Sequence, residues 1–358
     1  MNLAINGFGR IGRNVLRAYL ERMAKNPNAF GFQIVAINDI ADPATLIHLL
    51  KYDSTHGRLL DKGKLDIRLT TEHSHELSPV FLQMTTPTQQ QNIQLIQQSN
   101  PTQLPWQALD IDVVLESTGR FRSHDQAYQH IHAGAKQVIV GAAPFDRVDA
   151  SIVLGVNDAE LSRDKKILSG VSCTTQAIVP LLAVLDNAFG IQSAMMTEIH
   201  AVTADQNVLD QVHRDLRRAR ASGHNIIPTT SSSIGAVTRV LPHMAGKING
   251  HSIRVPTIDV AAIDVTFCFA KNTSVAEINA LLKYKSESKL KGIMGYSDEP
   301  LVSSDFIHQS ESLVIDSLQT MQTSTCQHNL FKVFAWYDNE WGYANRMLDV
   351  CQKLATLK

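Results

Sequence analysis

A thiol framed by hydroxyls, Ser172-Cys173-Thr174-Thr175, lies in a run (S-G-V-S-C-T-T-Q) whose second half reads as the start of a helix. A helix start presents unpaired backbone N–H groups and the positive end of the dipole. A cysteine there is expected to ionise more easily than a free thiol, and the thiolate is the nucleophile. Downstream, His200 closes a strand-like run (M-M-T-E-I-H) in polar company and is the candidate base. Arg217, Arg218 and Arg220 in D-L-R-R-A-R, with Thr229, Thr230 and Ser231–Ser233, offer charges and hydroxyls to an anion. Upstream, Gly7-Phe8-Gly9-Arg10-Ile11-Gly12 follows a strand and opens a helix, the setting in which such glycines carry a dinucleotide pyrophosphate. A low-pKa thiol, a nicotinamide cofactor and phosphate sites together imply oxidation of an aldehyde through a thioester.

The elements that must position these groups change in texture at the cysteine. Residues 2–6 form an apolar strand, residues 11–24 have helical periodicity, and Phe32–Asn38 is a second buried-type strand ending at Asp39. That is half of a doubly wound, Rossmann-type parallel sheet. Asp39 can accept hydrogen bonds from the adenosine ribose and would repel a 2′-phosphate, which favours NAD over NADP. The interval from Gly12 to Asp39 exceeds the usual ~20 residues, and residues 25–31 read as the longer loop responsible. Strands at Asp112–Glu116 and Gln137–Val140 flank a helix around Asp125–Ala133, and the glutamine-rich stretch Gln83–Gln103 reads as a surface excursion. Beyond Cys173, Pro180–Phe189 is helical and Ala261–Ala270 alternates, as suits an antiparallel or mixed sheet. The final helix, Gly342–Leu357, is placed to return to the first domain. The fold class is therefore α/β: a Rossmann-type sheet plus an α+β catalytic domain.

At 358 residues, two domains are the natural prior. The composition (44% hydrophobic, 19% charged) is that of a soluble enzyme, and a net charge of −1 gives no electrostatic case for nucleic acid or an anionic membrane. No apolar run approaches the ~18 residues of a membrane span, and the N-terminus enters a strand at once, so no signal peptide is expected. The cysteines Cys173, Cys268, Cys326 and Cys351 show no paired spacing, which suits a reducing cytoplasm. Cys268 and Cys351 sit in apolar elements and read as buried hydrophobes, while Cys326 reads as incidental. No metal site is expected.

In their order, A-I-N-G-F-G-R-I-G-R, H-L-L-K-Y-D-S-T-H-G, E-S-T-G-R-F, S-C-T-T, D-L-R-R-A-R-A, I-I-P-T-T, R-V-P-T and W-Y-D-N-E-W-G-Y-A-N-R resemble the phosphorylating glyceraldehyde-3-phosphate dehydrogenase family over nearly the whole chain. The resemblance implies an NAD-binding domain of residues 1–172 completed by residues 335–358, and a catalytic domain of residues 173–334. It also implies NAD, a homotetramer, and glyceraldehyde 3-phosphate and inorganic phosphate as substrates. Carried over, Cys173 is the nucleophile and His200 the base. Thr203, Asp205 and Arg254 form the site for the substrate's phosphate; Ser172, Thr174 and Ser231 form the site for inorganic phosphate, with Arg254 near both. Asn339 holds the nicotinamide carboxamide, Tyr343 packs near the ring, Arg10 and Ile11 lie along the pyrophosphate, and Thr118 lies near the nicotinamide ribose.

The chain departs from the family at Gln176 and Ala177, where a second cysteine is usual, at Ser232, where glycine is usual, and at Gln211-Val212. The related erythrose-4-phosphate dehydrogenases share A-V-T-R-V-L-P and R-V-P-T-I-D-V-A-A-I-D, but Asp39 and Thr203 side with the glyceraldehyde branch. A catalytically idle NAD-binding sensor or scaffold has no need to retain Cys173, His200 and Arg254 together.

Overall fold

The structure is a computed structural model that describes residues 1–59, 65–71, 79–85, 90–323 and 330–357. Cys326 lies outside the described residues. The chain divides into two compact units. The first comprises Met1–Ile152, Ala159–Gly170 and Met347–Lys358; the second comprises Val153–Asp158 and Val171–Arg346.

The first unit holds a nine-stranded sheet. Its order is Ala150–Ser151, Ile167–Ser169, Gln137–Val140, Val113–Glu116, Asn2–Asn6, Gln33–Asn38, Gln90–Ile96, Val80–Thr85 and Asp66–Thr71. Pairing is parallel as far as Gln90–Ile96 and antiparallel for the last two strands. Val113–Glu116 and Gln137–Val140 are buried throughout, as parallel strands covered on both faces must be. Within the glutamine-rich stretch Gln83–Gln103, of which residues 86–89 lie outside the described residues, Gln90–Ile96 is a sheet strand and not a surface excursion. Gln90–Ile96 pairs with Gln33–Asn38 on one side and Val80–Thr85 on the other, and its Ile93 and Leu95 turn inward. Glutamine is tolerated at the alternate positions because only one face of the strand meets the core.

The second unit is built on a seven-stranded mixed sheet, mostly antiparallel. Its order is Ile227–Thr229, Ile248–Val255, Ile191–Ala201, Ala261–Phe269, Leu330–Tyr337, Leu313–Gln322 and Met294–Ser297. Helix Cys173–Phe189 is apolar almost all round, and Ile178, Leu181, Leu182 and Leu185 join Ile263, Val265, Phe267 and Val333 in one core. Such a helix must be central, which anchors its first residue, Cys173.

The second unit extends past residue 334, because Leu330–Tyr337 is an interior strand of this sheet. The division instead falls within helix Trp341–Thr356, between Arg346 and Met347. No helix among the described residues is long and apolar enough to cross a membrane.

Candidate active site

Ser172 caps helix Cys173–Phe189: its hydroxyl accepts from the Thr175 N–H at 3.1 Å, making Cys173 the first helical residue. The residue before the cap, Val171, has φ of 50°, a conformation that costs a β-branched residue about 1–3 kcal/mol. Its carbonyl is held by the hydroxyl of Tyr343 at 2.8 Å. Tyr343, expected beside the nicotinamide, thus commits its polar end to the turn that aims the thiol.

His200 comes from strand Ile191–Ala201, in which Ala194, Met196, Glu198 and His200 alternate inward. Its Nδ1 faces the Ala201 carbonyl at 2.7 Å and therefore carries the proton, leaving the Nε2 lone pair directed at Cys173 Sγ, 3.6 Å away. A thiol, an imidazole and the carbonyl that orients it are thus linked in series.

Contrary to the expectation of an easily ionised thiol, burial drives both partners toward neutrality. It pushes the half-buried Cys173 thiol up to about 12, reinforced by the Glu198 carboxylate and opposed by Arg254. Burial and Arg254 lower His200 to about 4, against Glu198 and the Ala201 carbonyl. The helix start is present, and burial acts against it. The ion pair therefore depends on the charges around it.

Several hydroxyls converge beside the thiol. Ser233, buried at the start of helix Ser233–Val240, lies 3.2 Å from the Ser172 hydroxyl, and its N–H donates to Ser231 Oγ at 3.2 Å. Ser172 and Ser231 are thereby brought together through Ser233, the last of the three serines the sequence offered to an anion. Thr174 is not with them. Its buried hydroxyl donates to Glu198 Oε1 at 2.9 Å and lies 2.8 Å from the Tyr337 hydroxyl. Arg254 sits opposite His200 in the strand register, donates to the Ala201 carbonyl at 3.4 Å, and has a buried Nε without a partner among the described residues.

Thr203 binds Gln206 Oε1 through both its N–H (2.8 Å) and its hydroxyl (3.0 Å). Asp205 does not offer itself to an anion: it forms an ion pair with Arg218 and lies 3.4 Å from His213. Burial would raise its carboxyl, but Arg218 and His213 together hold it below the usual range. Arg218, also bonded to Thr229 Oγ1 at 2.9 Å, is the cation fixed in this region. Glu198 was within reach of sequence reasoning, since a residue two before His200 on a strand shares its face. Tyr337 was not, because only sheet pairing brings its strand here.

The glycine turn lies in the first unit. Gly7 has φ of 92°, and a Cβ there would meet the backbone of Thr118 at 2.6 Å. A Cβ on Gly12 would stand 2.2 Å from the Gly7 carbonyl oxygen, so helix Arg10–Lys25 packs against its strand only as glycine. A Cβ on Gly9 would meet nothing within 4 Å, so bare backbone is presented there, as a close-approaching pyrophosphate requires. The Asp39 carboxylate accepts from the N–H groups of Phe8 (2.7 Å) and Ala41 (2.9 Å), which ties the glycine turn to the second strand. Gly7, Gly9, Asn38, Asp39, Ser117 and Thr118 are among the residues lining a cleft of about 220 Å³. Ile11 is half-buried at the start of the helix. The Arg10 side chain forms an ion pair with Asp53. Burial would raise Asp53, but N–H bonds from His56 and Thr55 and the Arg10 guanidinium bring it to about 2.

Beneath the cleft, Glu116 accepts from Asn6 (2.5 Å), from the N–H and hydroxyl of Thr118, and from His130 Nε2 at 3.1 Å. Trp106 donates to His130 Nδ1 at 3.0 Å, so Nε2 carries the imidazole proton. This buried network fixes two cleft residues, Asn6 and Thr118. In the second unit, Asn339 has a buried Oδ1 without a partner among the described residues, an acceptor suited to a carboxamide N–H.

Comparison with known proteins matches residues 1–124 to the family described as glyceraldehyde 3-phosphate dehydrogenase, NAD binding domain. Residues 172–339 match the corresponding C-terminal domain. The chain is 42% identical over 356 residues to glyceraldehyde-3-phosphate dehydrogenase of Priestia megaterium, covering 99% of this chain and 98% of the relative. It is 41% identical over 358 residues to the chromosomal glyceraldehyde-3-phosphate dehydrogenase of Cupriavidus necator, with the same coverage.

Proposed function

The chain belongs to the glyceraldehyde 3-phosphate dehydrogenase family, and from that premise we propose which of its residues carry the reaction. The protein is an NAD-dependent oxidoreductase that converts glyceraldehyde 3-phosphate and inorganic phosphate to 1,3-bisphosphoglycerate through a cysteine thioester. The erythrose 4-phosphate alternative is not favoured, since the matched family and both relatives bear the glyceraldehyde name.

The observation that carries the assignment is the 3.6 Å approach of Cys173 Sγ to the unprotonated nitrogen of His200. His200 draws the thiol proton as sulfur forms a bond to the aldehyde carbon and returns it to the alkoxide oxygen, giving a hemithioacetal and restoring neutral His200. The Cys173 N–H, free at the first helical position, donates to the oxyanion that develops. Bound NAD supplies the hydride acceptor for this carbon. As the hydride leaves, Nε2 of His200 takes the hydroxyl proton and a thioester remains. A phosphate oxygen then attacks the thioester carbonyl, the C–S bond breaks, and the acyl phosphate departs.

Ser172 and Ser231, joined through Ser233, hold that phosphate. Thr174 contributes only if its hydroxyl turns from Glu198. Thr203 and Arg254 take the substrate's own phosphate, with Arg218 fixed by Asp205 as an added cation. The bare backbone at Gly9 and the Asn339 Oδ1, without a partner among the described residues, fit NAD. Gly7, Gly9, Ile11, Gly12, Asp39 and Thr118 hold it at the dinucleotide end, Arg10 contributing backbone, and Asn339 takes the carboxamide.

A homotetramer is the assembly expected of this family. The exposed Val208, Leu209, Val212 and Leu216, with Val212 98% exposed, support burial of this segment against another copy. Dependence on a free thiol suits a reducing, cytoplasmic setting.

Turnover with NAD, phosphate and glyceraldehyde 3-phosphate, compared side by side with erythrose 4-phosphate, tests the assignment. A higher kcat/KM for the three-carbon aldehyde is expected, and the reverse ranking would move the chain to the erythrose branch. Cys173→Ser should abolish turnover while NAD still binds, because a hydroxyl is a far weaker nucleophile. Activity near wild type would remove Cys173 from the mechanism.

A further inference from the structure

Glu198 is 3% exposed and shares the inward face of its strand with His200. Its Oε1 lies 3.9 Å from His200 Nε2, the nitrogen that faces the thiol, and accepts the Thr174 hydroxyl at 2.9 Å. Since Thr174 gives its one proton to Glu198, its oxygen must accept from Tyr337 across 2.8 Å. A chain of donors, Tyr337 to Thr174 to Glu198, thus ends on the carboxyl group. Its other oxygen, Oε2, is buried without a hydrogen-bond partner among the described residues. A group so placed is held in position by one bond, and in low dielectric its charge reaches the catalytic nitrogen with little screening.

We propose that Glu198 is a positioning residue for the acid–base step, its carboxylate holding the imidazolium of His200 as that cation forms. The inference rests on the reading of Cys173 as nucleophile and His200 as base. When the hemithioacetal is oxidised, hydride leaves the carbon and the hydroxyl proton passes to Nε2. The sulfur becomes part of a neutral thioester while His200 goes from neutral to cationic, so a negative charge beside Nε2 favours this step. When the Cys173–His200 pair ionises, the same charge attracts the imidazolium but repels the thiolate.

The other groups facing the pair are Arg254 on the adjacent strand, Arg218 from the segment before Thr229, Tyr337 across the sheet, and Cys173 itself. Arg254 and Arg218 both disfavour a cationic His200. Glu198 is the carboxylate that offsets them, and its charge pushes both the His200 and the Cys173 pKa upward.

The test is the pH dependence of Cys173 alkylation by iodoacetamide and of kcat/KM in Glu198→Gln, a variant that keeps an acceptor for Thr174 and removes the charge. Loss of the charge should move both apparent pKa values of the alkylation profile to lower pH, each by about one pH unit or more. Hydride transfer in a single turnover should slow by roughly tenfold, the equivalent of that change. Glu198→Asp, which retains the charge, should restore most of both. A role in packing alone would lower thermal stability and leave the profile in place. Unmoved limbs in folded Glu198→Gln overturn the proposal; Glu198→Ser gives the same reading if the glutamine variant does not fold. If alkylation of Cys173 does not abolish activity, the catalytic assignment itself has failed, a result separate from unmoved limbs in an alkylation-sensitive enzyme.

Discussion

At the scale of single residues, this site is built from side chains that each have two obligations. Ser172 caps a helix and joins the hydroxyl cluster. Tyr343 restrains the strained Val171 and so aims the next residues, including Cys173. Asp39 is the clearest case. Its carboxylate holds the N–H groups of Phe8 and Ala41 and retains lone pairs toward the cleft. Asp39→Gly should therefore do two things at once. It removes repulsion of a 2′-phosphate, raising the ratio of NADP to NAD use. It also frees the glycine turn and removes ribose contacts, weakening NAD by one hydrogen bond to a charged group, about 1.5–3 kcal/mol. Titration of both cofactors reads the two effects separately; an unchanged NADP-to-NAD ratio would mean that Asp39 does not select the cofactor.

At the scale of elements, two close approaches carry the chemistry: a helix against a strand in the first unit, and a helix start against a strand end in the second. The three glycines differ in what a methyl group would meet. At Gly12 it would stand 2.2 Å from the Gly7 carbonyl oxygen; at Gly9 nothing lies within 4 Å. Gly12→Ala must push helix Arg10–Lys25 away from its strand, and a loss of about 1–3 kcal/mol of stability is expected, with NAD binding lost as well. Gly9→Ala should leave thermal stability within about 0.5 kcal/mol and weaken NAD alone. Melting curves and NADH fluorescence titrations on the two variants distinguish structure from binding. Equal melting temperatures would contradict the packing assigned to Gly12.

At the scale of the whole molecule, buried ionisable groups make stability depend on pH. His200 is lowered to about 4 by burial and by Arg254, against an ordinary value of 6.5. A base whose folded value is depressed gives stability that is complete above the unfolded value and is lost as pH falls toward the folded one. Its contribution is thus lost between about pH 6.5 and 4 and amounts to ~3 kcal/mol. Asp338 acts in the opposite sense. Burial raises it to about 6 despite N–H bonds from Trp341, His308 and Glu340, so stability falls as pH rises from its unfolded value to about 6. The two slopes oppose one another in the same window, and the wild type alone will not separate them. The unfolding free energy of His200→Asn, relative to wild type, should therefore improve by ~3 kcal/mol on going from pH 6.5 to 4. A difference independent of pH would show that His200 is not buried as a neutral imidazole.

The sequence by itself singled out the thiol at a helix start, the histidine at a strand end, the glycine turn and the acid that follows the second strand, because each rests on local order: a cap before a helix, alternation along a strand, three glycines at fixed offsets. It also determined the two kinds of sheet, since periodicity and apolar runs are properties of neighbouring residues. It misread Gln90–Ile96, where polar composition concealed a strand with a single buried face. Tertiary structure alone decided the charge environment of the thiol. Glu198, Arg254 and Tyr337 stand on three strands that only sheet pairing brings to Cys173, and the burial that raises the thiol arises from packing. It likewise decided that Asp205 belongs to Arg218 and that Thr174 faces Glu198. A pKa is set by what surrounds a group in space and by how much water reaches it, and neither quantity is written in the order of residues along a chain.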